Sequence, residues 1–299
     1  MKRPLDLLVG DNPFHGISHL SQERARTRPL NNQCYTEYGA NILRLSLENG
    51  ANGFMFSVDE TTLSIIKHLS STYNGDKMRL YAIVPYAYEY VRKSTQTGGV
   101  SGLLLGLTRD MVFSSNLKVI ATNVGGLARI DLSTLLKTYV TYEMSRIKSV
   151  IGKNMRLQTI MLHEIITDMV LALNMKYLCK EYINFLGKKQ VRAGFETRNF
   201  PYLVSKFREW GIDFSNLTLT SAFNKVGFQM CPSQQECVES LKHARDAEII
   251  AMSVLAAGYL KPSEAIEYVS NLKGISGLVI GVSKEQQATE TFRLFSKMN

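Results

Sequence analysis

Short apolar runs alternate along this chain with longer stretches in which apolar residues recur at helical spacing. Eight runs read as strands: Asp6–Gly10, Gly53–Ser57, Leu80–Pro85, Gln158–His163, Val191–Glu196, Leu217–Ser221, Glu248–Ser253 and Gly277–Gly281. Each is a handful of β-branched or aliphatic residues bounded by polar or glycine-containing loops. The stretches between them carry a helical face. In Glu37–Asn49, Tyr38, Ile42, Leu45 and Leu47 supply that face and Gly50 stops the helix. Leu135–Ile151 repeats the pattern, as do Pro201–Trp210, which ends at Gly211, and Pro262–Leu272, which ends at Gly274.

Eight strands, each followed by a helix, predict an α/β fold: a single (β/α)8 TIM barrel of parallel strands, one domain over residues 1–299. The count is not clean. Lys118–Asn123 also reads as a strand, inside an insertion over 89–131 between the third and fourth units. That insertion holds Gly98, Gly99, Gly102, Gly106, Gly125 and Gly126, which reads as a glycine-rich hairpin or lid. An open doubly wound sheet is the alternative. No GxGxxG follows the first strand, which weighs against a dinucleotide-binding domain of that type.

Composition narrows the setting. The 299 residues are 45% hydrophobic and 20% charged, the balance of a soluble globular protein. No apolar run approaches the ~18–20 residues that span a bilayer; the longest, Ile249–Leu260, is broken by Ser253 and Gly258. The opening MKRPLDLLVGDNPFHG is interrupted by Asp6 and does not read as a signal peptide, so a soluble cytoplasmic protein is expected. Cys34, Cys179, Cys231 and Cys237 show no CxxC pair or zinc spacing, which fits thiols in a reducing compartment. The net charge of +9 comes from scattered residues, with Arg24, Arg26 and Arg28 as the one dense cluster. A nucleic-acid surface would show a basic stripe with aromatic platforms. A basic surface or a small anionic substrate accounts for the charge instead.

In a barrel the chemistry lies at the C-terminal strand ends. Those ends carry Asp11, Asn12 and His15; Ser57 and Asp59; Tyr86 and Tyr88; His163 and Glu164; Glu196, Arg198 and Asn199; Ser221 and Asn224; Ser253; Ser283 and Lys284. Polar side chains at every strand end converge on one cavity, which points to an enzyme acting on a small molecule. His163 reads as a general acid or base, or else as a structural histidine. Strand neighbours face opposite ways, so His163 and Glu164 share the cavity only if the strand has already ended. Pro13 and Gly16 shape a turn that holds Asp11, Asn12 and His15. His15 and His19 would suit a metal only in a helix, which Pro13 and Gly16 oppose. A divalent-metal site from His15, His163, Glu164 and Glu196 lacks a compact motif. Glu196 reads as a carboxylate base and Arg198 as an anion clamp, or the two as a loop-supporting ion pair. Ser283, Lys284 and the N–H groups of a helix starting near Glu285 form a candidate anion site.

Four pieces between Leu162 and Phe295 resemble the aldo-keto reductase superfamily. LHE is similar to that family's strand-four element, which makes His163 a residue polarising a substrate carbonyl. GFETRNF resembles the element touching the nicotinamide amide, with Asn199 matching and Thr197–Arg198 departing. In AMSVLAAGYL, Ser253 and Leu255 match the family while Met252 and Val254 do not. GVSKEQQATETF resembles the cofactor-clamping end, with Glu290 in place of the adenine-side acid. The resemblance implies a barrel and an NAD(P)H cofactor. The first half departs from it. FMFSVDETTL offers Asp59 but no following catalytic Tyr, and YAIVPYA has Pro85 and Tyr86 where the family has a Lys. Gly281 and Gln287 stand where basic residues would grip a 2′-phosphate.

Three functions stand at this point. The first is acid/base chemistry of lyase or isomerase type on a small anionic or carbonyl substrate. There His163 and Glu196 carry protons, Asp11 or Asp59 is an auxiliary carboxylate, and Arg198 and Lys284 clamp the anion. The second is an NAD(P)H-dependent oxidoreductase with Tyr86 as its acid, which cofactor quenching of Trp210, the single tryptophan, would test. The third is a non-catalytic barrel that binds a small ligand or a protein. Metal-assisted hydrolysis and a homo-oligomer stay open.

Overall fold

A computed structural model describes residues 4–15, 35–85 and 132–298. Eight parallel strands close into a barrel in sequence order: β1 (Asp6–Gly10), β2 (Gly53–Ser57), β3 (Met78–Val84), β4 (Met155–Leu162), β5 (Arg192–Glu196), β6 (Leu217–Ala222), β7 (Glu248–Met252) and β8 (Gly277–Ile280). Closure is made by β1 against β8, in register from Asp6↔Gly277 to Val9↔Ile280. An open sheet is thereby ruled out. All eight strands read from the sequence are present, with β3 and β4 starting two and three residues earlier than read. Residues 85–131 separate β3 from the next helix, the place of the expected insertion. The strand read at Lys118–Asn123, the glycine-rich stretch and Tyr86 lie outside the described residues.

The helices of the outer ring follow their strands: α1 (Tyr35–Glu48), α2 (Glu60–Thr72), α3 (Leu132–Lys148), α4 (Glu164–Ala172), α5 (Lys176–Lys188), α6 (Phe200–Glu209), α7 (Gln234–Ser240), α8 (Pro262–Ser270) and α9 (Glu285–Ser296). Among the described residues, none is long and apolar enough to cross a membrane. Two follow β4: α5 packs on β5 and α3 as a ring helix, while α4 is an addition at the mouth that lies against β5 and α6. The helix starts are chemically explicit. Asp59 Oδ1 accepts from Thr62 N–H at 2.8 Å to cap α2, and Asn199 Oδ1 accepts from Tyr202 N–H at 3.1 Å to cap α6. Gly50 and Gly211 follow helix ends at φ +114° and +61°, a conformation other residues adopt only under strain.

Strand alternation sorts the interior into layers. The middle is apolar, built from Leu8, Met55, Tyr81, Met161, Ile250 and Val279. Gly194 on β5 makes room there: a Cβ would sit 2.2 Å from Met161 Cγ and 2.8 Å from Thr159 Cγ2. Gly194→Ala is therefore expected to destabilise the barrel by about 1–3 kcal/mol through overpacking. A denaturant midpoint equal to wild type would show that Met161 yields at no cost.

The floor, at the N-terminal strand ends, is ionic. Arg79 grips Asp6 with both terminal nitrogens, at 2.6 and 2.5 Å. Arg192 Nη1 and Thr218 Oγ1 donate to Glu248 Oε2 at 2.5 and 2.7 Å. The Tyr81 hydroxyl donates to Glu248 Oε1 at 3.2 Å, and burial raises its pKa. This paired layer plugs one end of the barrel, so chemistry is left to the other.

Candidate active site

Alternation also aims Glu196. Arg192 opens β5 with its side chain in the floor layer, so Gly194 and Glu196 point into the same interior, one and two layers higher. Glu196 is thus the carboxylate that β5 lifts into the mouth. Its Oε2 accepts from Glu164 N–H at 3.3 Å. Burial pushes its pKa up to about 8, with further upward pushes from the Glu164 and Asp11 carboxylates. The Glu164 N–H and the Arg198 charge act in the opposite sense without prevailing.

β4 ends at Leu162, so both His163 and Glu164 sit at the mouth. His163 N–H still donates to Val84 O at 2.8 Å, extending the ladder by one bond. Its ring then caps α4, with Nδ1 accepting from Ile165 N–H at 3.2 Å. An accepting Nδ1 leaves the proton on Nε2. Burial lowers the pKa of this imidazole, against an upward pull from Glu164. The ring is a neutral hydrogen-bond donor at neutral pH.

Arg198 does not pair with Glu196. Its Nε forms an ion pair with Glu164 instead. Two contacts fix the turn that sends it there: Thr197 Oγ1 donates to Asp168 Oδ1, and Arg198 N–H donates to Asp168 Oδ2 at 3.2 Å. Burial raises the pKa of Asp168. The sequence reading missed this residue. Its signal was a lone Asp inside an apolar helix, four residues after Glu164.

The first two loops converge on His15. Asp11 follows β1 and its Oδ2 accepts from Ser57 N–H at 2.6 Å. Asn12–His15 form a 3-10 turn, which places His15 Nε2 3.2 Å from Asp11 Oδ2 and Nδ1 3.2 Å from Asp59 Oδ2. The Nε2 contact is a hydrogen bond, and the Nδ1 contact brings a second carboxyl group against the same ring. Asn12 is exposed on the turn. His19 lies outside the described residues, and among those described no group of three or more His, Cys, Asp or Glu is arranged to hold a metal.

The remaining candidates are less central. The Asn224 amide is occupied by both backbone groups of Phe228, each at 2.8 Å, and holds the β6–α7 loop. Ser253 Oγ instead meets Gln229, a residue the sequence reading did not single out, at Oε1 and 3.1 Å. Both have left-handed backbones, at φ +54° and +59°. Strain of this kind in non-glycine residues gathers at functional loops. Ser283 and Lys284 are exposed before α9, where the Gln287 side chain folds back onto Ser283 N–H at 3.2 Å and occupies that donor. Glu285 adds a negative charge in the first turn, so this helix start is a poor anion cradle.

No protein-family model and no curated protein matches the sequence. Solved structures do. A glycerol dehydrogenase from Gluconobacter oxydans is 10% identical at a TM-score of 0.57, with 99% of this chain and 88% of that one covered. An aldo-keto reductase enzyme from a Medee basin deep-sea metagenome library is 9% identical at a TM-score of 0.53, with 99% and 86% covered. A proposed aldo-keto reductase from Pseudomonas aeruginosa is 12% identical at 0.57, with 99% and 94% covered. The fold is the eight-stranded parallel barrel that these structures share. At these identities the likeness is one of fold alone. Measured against the aldo-keto reductase pattern, β2 leads into Asp59 and α2 with no tyrosine, and β3 ends at Val84–Pro85 with no lysine.

Proposed function

We propose that the mouth performs proton transfer on a small carbonyl- or hydroxyl-bearing substrate, in a reaction of lyase or isomerase type. The observation that carries this reading is Glu196: a buried carboxyl group, directed into the mouth, whose pKa is raised to about 8. A group titrating close to neutrality exists in both forms there, so it can give a proton in one step and take it back in the next. The His163 Nε2–H would donate to the substrate oxygen as charge develops on it. Arg198, oriented through Nε by Glu164, keeps its terminal nitrogens for an anionic end of the substrate. Asp11 and Asp59 support the mouth through His15 and do not themselves transfer the proton.

Exchange of carbon-bound hydrogen with solvent deuterium tests this without a known turnover. Small hydroxy and carbonyl compounds are incubated with the protein in heavy water and followed by NMR. Wild type should label at least one compound, and Glu196→Gln should not. If no compound is labelled by wild type faster than by Glu196→Gln, the reading fails. His163 separates by a second variant. His163→Asn retains a helix cap but not the Nε2 donor, so labelling should fall about 10²–10³-fold with stability within about 1 kcal/mol. Unchanged labelling would make His163 a cap and nothing more.

The aldo-keto reductase fold favours a second reading, an oxidoreductase using NAD(P)H. Trp210 is a poor reporter for it, because the residue is buried past the C-terminal end of α6 with its indole N–H already held by Asn174 Oδ1 at 3.2 Å. Fluorescence of the nicotinamide itself, titrated with the protein, is the better measurement. Saturable binding of NADPH or NADH would favour the reductase.

A further inference from the structure

On the wall of the mouth that faces Glu196 and His163, the positions that would fill the space are glycines. Each interior layer of such a barrel is filled from alternate strands, and the strand register decides which residues meet. The odd strands bring Gly10, Ile83, Glu196 and Met252 to one layer, with Gly10 on β1 across from Glu196 on β5. In the layer above, the residue after β8, Gly281, lies across from the residue after β4, His163. Beneath the two glycines Val279 points inward and is only half-buried, whereas Leu8, Tyr81, Met161 and Ile250 around it are sealed at 0% exposure. The ion-paired floor closes the other end, so solvent reaches Val279 from the mouth. A Cβ added at Gly10 would lie 3.1 Å from Val279 Cγ2, and one at Gly281 would lie 3.1 Å from Pro13 Cγ. The missing side chains therefore leave a well with Val279 as its base, Pro13 at its rim and the half-buried Met252 at its side.

We infer that this well holds a short unbranched alkyl group of the substrate. The substrate is then an open-chain acid, with its carboxylate at Arg198, its carbonyl or hydroxyl between His163 and Glu196, and an aliphatic tail across the mouth. The placing of the reacting carbon rests on the proposed proton transfer; the well itself does not. No side chain lining the well carries a hydrogen-bonding group. Asp11, next to Gly10, turns its carboxylate to Ser57 N–H and the His15 ring. Water in such a space lacks the polar partners that hold buried water in place, and an apolar group displaces it at a gain. The depth sets the size of the tail. From Gly281 to Val279 is two residues of tilted strand, about 5 Å along the barrel axis, which is the length of about three or four carbons.

Calorimetric titration with straight-chain 2-oxo acids of three to nine carbons reads the well without any turnover. Wild-type affinity should rise about fourfold with each added methylene and level off once the well is full, at about six or seven carbons. Val279→Phe fills the well and should flatten the series while the three-carbon acid binds as before. Val279→Ala lowers the base and should carry the rise about one carbon further. If Val279→Phe does not fold, as judged by circular dichroism, Gly10→Ala narrows the same space from β1 with a single methyl and should weaken the longer acids selectively. A wild-type series with no dependence on chain length overturns the proposal, as does the absence of binding by any of these acids. A rise that persists unchanged in Val279→Phe, or in Gly10→Ala where that variant replaces it, overturns it equally, since the tail then lies elsewhere. The same acids in heavy water separate the two readings. A chain-length rise that Val279→Phe abolishes, with no acid labelled, keeps the well and sinks the proton transfer. Labelling that Glu196→Gln abolishes, with a flat series, does the reverse.

Discussion

Glu196→Gln should abolish the proposed proton transfer and at the same time make the protein more stable at alkaline pH. The activity loss follows from removing the titrating group, which is worth about 10²–10⁴ in rate for a general acid or base. The stability gain follows from linkage. Burial raises the Glu196 pKa from 4.5 to about 8. Below pH 4.5 the group is protonated in both folded and unfolded chains and contributes no difference. Between pH 4.5 and 8 the native state holds a proton that the unfolded chain has released, so stability falls as pH rises through this window. Above pH 8 both are ionised and the full penalty, on the order of a few kcal/mol, remains. Gln carries no such penalty and its amide oxygen can still accept from Glu164 N–H. The melting temperature of the variant should match wild type near pH 4 and exceed it increasingly up to pH 8. Parallel melting curves across that range would show Glu196 to be an ordinary ionised carboxylate, and the proposed function would lose its main support.

Glu248→Ala should be the most damaging single change to the fold. Glu248 is buried in the barrel floor and accepts hydrogen bonds from Arg192, Thr218 and Tyr81 at once. Removing it leaves the Arg192 guanidinium without its carboxylate and the Tyr81 and Thr218 hydroxyls with only their second partners, Asp6 Oδ2 at 3.4 Å and Thr159 Oγ1 at 3.0 Å. Breaking one side of such a pair costs about 3–5 kcal/mol, which corresponds to a melting temperature lowered by roughly 5–15 °C for a domain of this size. Glu248→Gln keeps an acceptor for Thr218 and should fall between. Calorimetry that finds Glu248→Ala within 1 °C or so of wild type would mean that water replaces the carboxylate, and that the floor is open.

The barrel was legible in the sequence because its signals are local. A period of two in runs such as Leu217–Ser221, a helical period in Glu37–Asn49 and stops at Gly50 and Gly211 depend on neighbours within a few residues; they marked all eight strands and four of the helices between them, but not that two helices follow β4. The same periods predicted which strand ends would gather at the mouth, and so named Glu196, His163, Arg198, Asp11 and Asp59. What the side chains do there depends on contacts that exist only after the strands close. Arg198 has Glu196 two residues away in the chain, yet it pairs with Glu164, because β5 turns Glu196 into the interior and the chain leaves the strand before reaching Arg198. His15 stands between Asp11 and Asp59, forty-four residues apart from the second, because β1 and β2 are adjacent. Asp168 matters only because α4 lies across the end of β5. Local pattern sets where the backbone goes; burial and charge at the mouth, which decide pKa and pairing, are properties of the closed barrel.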